Sequence, residues 1–215
     1  MKTYRTIIKI AAALLVVTSC SDFGRDRNTV LPDLSSLGLT RAHEEIAASQ
    51  MDFGVEFFKS VATQKKESVL VSPFSMSLVL SMLDHGATGK TYEELTKGLG
   101  FEGYTPEQIA EYYSAIISAD TSTKKGDFKT ANALWVNTEN NNSDVRENYK
   151  EEVKSFYDAQ VESLDFSENS MKEIVNKWAS DNTKGKIPSI LAKEPQKCVA
   201  LLASALYFNE PWTAV

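Results

Sequence analysis

The chain has 215 residues, of which 42% are hydrophobic and 24% charged, with 10 Gly and 6 Pro. This composition is that of an ordinary globular protein and excludes fibrous and intrinsically disordered classes, while the length suits one domain with a single core. The net charge of -6 does not suit phosphate binding, which needs a clustered basic face, so no nucleic-acid partner is expected.

The first 20 residues predict a targeting segment. Lys2, Arg5 and Lys9 precede an apolar run at 10–17 that is too short to span a bilayer stably. The run ends in Val-Thr-Ser-Cys and resembles the lipobox of bacterial lipoproteins, which implies a lipid on Cys20. The alternative is an ordinary secretory leader with Cys20 incidental. We expect an exported cell-envelope protein, held to a membrane through Cys20.

Residues 21–41 follow as a polar stretch with Asp, Asn, Ser, Pro and Gly interspersed, which predicts a flexible tether between the anchor and a domain at 42–215. If Cys20 carries lipid, Cys198 has no disulfide partner, because the chain has only two cysteines. Cys198 precedes an apolar run and is expected to be a buried thiol.

Hydrophobic spacing along the domain predicts an α+β fold, with helices packed on a sheet. The predicted helices are His43–Val61, Pro73–Leu83, Thr91–Gly98, Pro106–Ile117, Val145–Tyr157 and Asn169–Asn182. The predicted strands are Val69–Val71, Phe128–Val136, Gln160–Phe166 and Val199–Phe208.

The helix that begins at Pro73 is apolar on nearly every side, which predicts a position in the centre of the domain. Ser72 suits its N-cap, with Pro at the first helical position. Its polar groups are the hydroxyls of Ser72, Ser75, Ser77 and Ser81, which must find partners if buried. They are candidates for an internal hydrogen-bond network, and we expect Ser77 and Ser81 to bond back to helix carbonyls.

The last predicted strand, Val199–Phe208, is apolar on both faces. A strand of this kind belongs inside a covered sheet with a neighbour on each side. The chain ends seven residues later, and an open apolar edge invites pairing with other chains. The sequence is therefore expected to be truncated.

Motifs for catalysis are weak. Residues 86–91, Gly-Ala-Thr-Gly-Lys-Thr, end like a phosphate-binding loop, but Asp84 stands where that loop needs its first Gly, and the preceding run predicts a helix. An NTPase stays only a remote alternative. His43 and His85 lie in no nucleophile motif, and the sequence has no HExxH, no CxxC pair and no carboxylate cluster. We expect no enzyme, no metal and no cofactor.

Five sequence blocks together resemble the serpin family, in the family's order, from about residue 48 onward. They carry the start of a central helix, the turn and helix after it, a main-sheet strand, a helix with its turn, and a second strand that ends near Trp212. The blocks are Ser72–Ser77, Gly86–Leu95, Asn132–Val136, Asn176–Ile187 and Leu206–Trp212.

The resemblance implies a serpin-like fold with helices on a large mixed sheet, incomplete because the C-terminal part is missing. It also implies inhibition of a serine-type or cysteine-type protease, which forms an acyl-enzyme with an exposed loop that then inserts into the main sheet. Ser72, Ser75, Ser204 and Trp212 would belong to the cluster where the sheet opens, although the family commonly has Asn in place of Ser204.

The segment that matches the family's reactive loop is absent from these 215 residues. The chain alone is therefore expected to be inactive. Residues 105–118 contain Glu107 and Glu111 but no Lys or Arg, so a glycosaminoglycan site is not supported. The main alternative is a non-inhibitory serpin-like remnant that acts as a surface scaffold or binding module.

Overall fold

A computed structural model describes residues 39–64, 68–118, 127–138, 145–195 and 198–209. All of these residues belong to one compact unit. The predicted lipidation site Cys20, residues 21–38 of the predicted tether, and Trp212 lie outside the described residues.

Six helices and three strands form the described part of the chain. In chain order they are α1 Arg41–Gln64, α2 Pro73–Gly86, α3 Gly89–Leu99, α4 Pro106–Ile117, β1 Asp127–Asn137, α5 Glu147–Tyr157, β2 Ala159–Leu164, α6 Asn169–Asn182 and β3 Ala200–Asn209. The predicted α+β class is therefore confirmed. Within the described ranges, no helix combines the length and the apolar character needed to cross a membrane.

Local sequence signals set the helix ends. The side chain of Thr105 and that of Gln108 satisfy each other's backbone N–H groups in a capping box at the start of α4. Gly100 ends α3 with a φ of 71°, a left-handed conformation that glycine adopts without a steric penalty. The turn after α6 uses two such residues in succession, Lys184 at φ 50° and Gly185 at φ 76°.

The three strands form a mixed sheet in the order β2-β1-β3. β1 pairs with β2 in parallel and with β3 in antiparallel orientation. In the β1–β3 register, Asn132 lies opposite Ser204. β1 is the central strand of the described sheet, and β3 has β1 on one edge.

Two hydrophobic cores cover the two faces of this sheet. Leu134 and Val136 of β1, with Leu202 of β3, pack with α1 to α5 in the larger core. Trp135 and its odd-numbered neighbours pack with α6 in the smaller core, where the rings of Trp135 and Trp178 meet edge to face with centroids 5.3 Å apart. Successive side chains along each strand point to opposite faces of the sheet, so the strands contribute residues to both cores.

The strand predicted at Val69–Val71 is wrong. Residues 68–72 form no strand, and Leu70 is 99% exposed. A strand needs a hydrogen-bonding partner, and none of the described strands runs beside this segment. Among the described strands, β3 pairs with β1 alone, so the second neighbour that its two apolar faces predict is not among the described residues. Its side chains are half-buried from Ala200 to Tyr207, apart from the buried Ala205, and the last two residues, Phe208 and Asn209, are exposed.

Candidate functional site

A groove of about 360 Å³ lies between α2 and β3, on the face of the sheet that carries the larger core. Apolar side chains form most of it, and three serines add hydroxyls. The lining residues are Phe57 from α1, Val71, Ser72, Ser75, Met76 and Val79 from α2 and the segment before it, and Leu202, Ala203 and Ser204 from β3. The structure thus brings together three of the predicted cluster residues, Ser72, Ser75 and Ser204.

Ser72 and Ser75 meet where α2 begins. Ser72 caps the helix, since its hydroxyl accepts a hydrogen bond from the backbone N–H of Ser75 at 3.2 Å. The Ser72 hydroxyl also donates to Oγ of Ser75 at 3.0 Å. Because the cap fixes the Ser72 side chain, the position of both hydroxyls at the groove follows from the Ser-Pro sequence at the helix start.

Ser77 and Ser81 lie deeper in α2 and bond back to helix carbonyls, as the sequence predicted. The Ser77 hydroxyl donates to the carbonyl of Phe74 at 3.2 Å, and that of Ser81 donates to the carbonyl of Leu78 at 2.8 Å. The hydroxyl of Tyr113 from α4 donates to Oγ of Ser77 at 2.8 Å. The bond between Ser77 and Tyr113 therefore ties α2 to α4, whereas Ser72 and Ser75 form a separate pair at the start of the helix.

Ser204 faces the groove from β3 without satisfying its hydroxyl. Its Oγ is buried and has no hydrogen-bond partner among the described residues, and the same holds for Oδ1 of Asn132 on the opposite strand position. The other side-chain atom of Asn132, Nδ2, donates to the carbonyl of Tyr157 at 2.7 Å. Two facing residues of β1 and β3 thus each carry a buried polar atom without a partner.

Sequence reasoning missed Asn132 and Tyr113 as members of this cluster. Asn132 is 2% exposed, and a polar residue inside an otherwise apolar strand at 131–136 is a signal that could have identified it. Tyr113 gave no comparable signal, because its contact with Ser77 joins residues 36 positions apart. Contacts at that separation depend on how the helices pack.

The chemistry available at the groove is hydrogen bonding rather than catalysis. None of the lining residues is titratable. Burial raises the pKa of the Tyr113 hydroxyl far above its ordinary value, and burial also raises the pKa of Tyr149 to about 12. These phenols stay protonated at neutral pH and act as donors. The described residues hold no group of three or more His, Cys, Asp or Glu side chains placed to bind a metal ion.

The phosphate-loop candidate at 86–91 is a corner between two helices. α2 ends at Gly86 and α3 begins at Gly89, whereas a phosphate-binding loop follows a strand. The side chain of Lys90 lies on the surface next to Glu94, with 3.5 Å between Nζ and Oε1. His85 lies away from the groove, with its Nε2 3.2 Å from Oε2 of Glu152. These contacts account for the conformation of residues 86–91 without a bound nucleotide.

Comparison with known sequences assigns the fold. A sequence model described as serpin (serine protease inhibitor) matches residues 48–215. The chain belongs to the serpin family. The intracellular coagulation inhibitor 2 of Tachypleus tridentatus is 32% identical over 178 residues, which are 80% of this chain and 43% of that protein. An alpha-1-antitrypsin of Mus musculus is 28% identical, over 84% of this chain and 44% of that protein.

Two further proteins are similar to this chain. The human corticosteroid-binding globulin is 24% identical, over 85% of this chain and 45% of that protein. The thermophilic serpin tengpin in its latent state superposes with a TM-score of 0.72 at 26% identity, over 81% of this chain and 45% of tengpin. The chain therefore has a serpin-like fold, and it spans a little under half the length of the relatives it matches.

Proposed function

We propose that this serpin chain is the N-terminal part of a protease inhibitor that traps its target by accepting a strand at the free edge of β3. One observation carries the proposal. β3 has backbone groups on its second edge with no strand among the described residues to pair them, and directly beneath it lies a groove with an unpartnered buried hydroxyl, that of Ser204. Strand addition satisfies backbone groups of this kind.

The groove supports movement at this edge. Its three hydroxyls come from Ser72 before α2, Ser75 on α2 and Ser204 on β3, and a hydroxyl can take up a new hydrogen-bond partner at little net cost. Ser72 and Ser75 bond to each other across one turn, while Ser204 has no partner. The 215 residues supply the accepting edge, and the inserted strand would come from the rest of the protein.

The test uses the whole protein, including the sequence that follows Val215. Incubated with a panel of serine and cysteine proteases, it is expected to give a covalent complex that survives denaturing electrophoresis. Ser75→Phe places a ring in the groove and should turn the protein into a cleaved substrate. Ser60→Phe, on the exposed face of α1, is the matched control and should still trap. If no protease in the panel is trapped by the unaltered protein, the proposal is wrong.

A non-inhibitory serpin is the second candidate, acting as a binding module or scaffold. Two observations favour it: the relatives include corticosteroid-binding globulins, and Ser204 replaces the Asn that is common in the family. The same protease panel separates the two, because a binding module would be cleaved or ignored without a covalent complex.

We further propose that the chain is an exported lipoprotein, anchored through Cys20, with the residues between Cys20 and α1 as a tether. The support is the lipobox-like sequence at 17–20 after a short apolar run. Cells fed a labelled fatty acid should label the unaltered protein and leave Cys20→Ser unlabelled and released from the membrane fraction. Equal labelling of both proteins would refute the anchor.

A further inference from the structure

The helix α1 begins with a reciprocal cap in which a histidine takes part. The backbone N–H of His43 donates to Oγ1 of Thr40, and the backbone N–H of Thr40 donates to Nδ1 of His43, both at 3.3 Å. The carbonyl of Thr40 accepts the first helical hydrogen bond, from the N–H of Glu44 at 3.1 Å. This is the arrangement of a capping box, with an imidazole in the position that Glu or Gln usually occupies.

The cap requires a neutral imidazole. Nδ1 of His43 accepts a hydrogen bond, so it carries no proton, and the ring proton lies on Nε2. A proton on Nδ1 would place two donors against each other and break the bond to Thr40. His43 is also 7% exposed and lies in the first turn of a helix, where burial and the helix dipole both oppose a positive charge.

The groups that face His43 do not supply a close anionic partner. Tyr112 of α4 meets the imidazole edge to face, with ring centroids 6.1 Å apart. Glu44 is exposed, so water and salt screen its attraction for a cation. Among the described residues of α2 and α3, which also pack on α1, no side chain forms a hydrogen bond or an ion pair with His43. Protonation would therefore weaken the cap without creating a replacement contact.

Ile46 sets the limit to which the first turn could open. Its side chain is 0% exposed in the larger core. The residues before it are held by surface contacts: Nε of Arg41 lies 3.1 Å from Oε1 of Glu45, and the hydroxyl of Tyr104 donates to Oε2 of Glu45 at 3.1 Å. Exposed ion pairs of this kind contribute little to stability. Opening would thus release residues 41–45 and stop at Ile46.

We propose that His43 is a pH-sensitive cap, which holds the first turn of α1 closed while neutral and releases residues 41–45 when protonated. Five residues span about 7 Å in a helix and up to about 17 Å when extended. The segment that leads into the domain would therefore lengthen by about 10 Å in acid. The turn precedes residue 48, where the match to the serpin family begins, and the inference does not depend on protease trapping.

Proton binding sets the size and the sign of the effect. A hydrated imidazole titrates at about pH 6.5, so the charged fraction in an open turn rises from about a tenth at pH 7.5 to about nine tenths at pH 5.5. Because the closed cap takes up no proton, the ratio of open to closed turns rises about tenfold as the pH falls over this range. Glutamate carboxylates titrate at about pH 4.3 and stay ionised throughout.

Two NMR measurements on the 215-residue chain test the cap. The ring nitrogen shifts of His43 at neutral pH should be those of the Nε2–H tautomer. Exchange of the Glu44 amide with water, divided by the rate for an unstructured peptide at the same pH, should rise about tenfold from pH 7.5 to 5.5. The Trp135 amide in β1 is the internal reference, because its exchange reports on the sheet and should not show this rise.

Two substitutions identify the histidine responsible, since the chain contains only His43 and His85. His43→Gln keeps a side-chain acceptor that does not titrate, so the relative exchange of the Glu44 amide should change by less than about twofold over the same pH range. His85→Gln is the matched control, because His85 lies at the end of α2 beside Glu152. It should keep the full rise of the unaltered chain.

Each contrary result would overturn the cap. A proton on Nδ1 of His43 at neutral pH does so without any substitution. Relative exchange of the Glu44 amide that is independent of pH in the unaltered chain, or an undiminished rise in His43→Gln, has the same meaning. Loss of the rise in His85→Gln would assign the response to the other histidine. An equal rise at Trp135 would show that acid loosens the whole fold rather than the first turn of α1.

Discussion

Replacing Ser204 by Ala should stabilise the chain. The Ser204 hydroxyl is buried without a hydrogen-bond partner, and a buried unpaired hydroxyl costs about 1–3 kcal/mol in mutational studies. The methyl group that remains is the same side chain as those of Ala203 and Ala205 on either side, and the substitution removes only one oxygen atom. We expect a gain of about 1 kcal/mol in the free energy of unfolding.

Ser77→Ala is the matched control, because the same change is made where the hydroxyl is used. It deprives the carbonyl of Phe74 of a donor and leaves the hydroxyl of Tyr113 without its 2.8 Å acceptor. A loss of about 1–2 kcal/mol is expected. The two substitutions should therefore change stability in opposite directions although both remove one serine oxygen.

Urea unfolding followed by tryptophan fluorescence measures both effects, since Trp135 and Trp178 lie in the smaller core. With a slope of about 1–3 kcal/mol per molar urea, a gain of about 1 kcal/mol raises the midpoint by about 0.3–1 M. The slope itself should not change. If Ser204→Ala lowers the midpoint as much as Ser77→Ala does, the Ser204 hydroxyl makes a stabilising hydrogen bond and the reasoning is wrong.

Three other substitutions test α2 and the neighbouring helix α3. Gly86→Ala should destabilise the chain by about 1–3 kcal/mol, because a Cβ there would lie 2.6 Å from the Tyr149 ring. Gly98→Ala in α3 places a Cβ where nothing lies within 4 Å, so it should stabilise the chain by about 0.5–1 kcal/mol. A change of the same sign for both substitutions in urea unfolding would contradict this expectation. Burial raises the pKa of the Asp84 carboxyl in the folded state, although the hydroxyl of Thr96 donates a hydrogen bond to it. The ionised carboxylate therefore destabilises the folded state at pH values above the folded-state pKa, and this cost disappears below 3.8, where the carboxyl is protonated in both states. Asp84→Asn should therefore stabilise the chain at pH 7 and lose that advantage as the pH falls toward 3.8, and a pH-independent difference in urea midpoints would refute the assignment.

Local signals predicted the helices well. Ser72 with the proline after it placed the start of α2, and Gly185 placed the turn after α6, because caps and left-handed turns depend on a few neighbouring residues. The strand predicted at 69–71 was wrong for the opposite reason. Its β-branched residues suit a strand, but strand formation depends on a partner that those three residues do not supply.

The candidate site was predictable in part. Ser72, Ser75 and Ser204 were expected together, on the family resemblance, and they line one groove. The position of Asn132 opposite Ser204 follows from strand register, which is fixed by pairing between segments 72 positions apart. Register of that kind is set by the whole fold, so neither the unpartnered hydroxyl nor its neighbour could be derived from the residues themselves.

The pairing of β1 with β3 also has a consequence for how the chain is made. β1 is complete at Asn137 and β3 at Asn209, so at about 5–20 residues per second a ribosome needs about 4–14 s to supply the partner strand. During that interval an apolar strand has neither its antiparallel neighbour nor the sheet that separates the two cores. Folding of the complete sheet must wait for it, and the delay keeps the nascent chain open to chaperones.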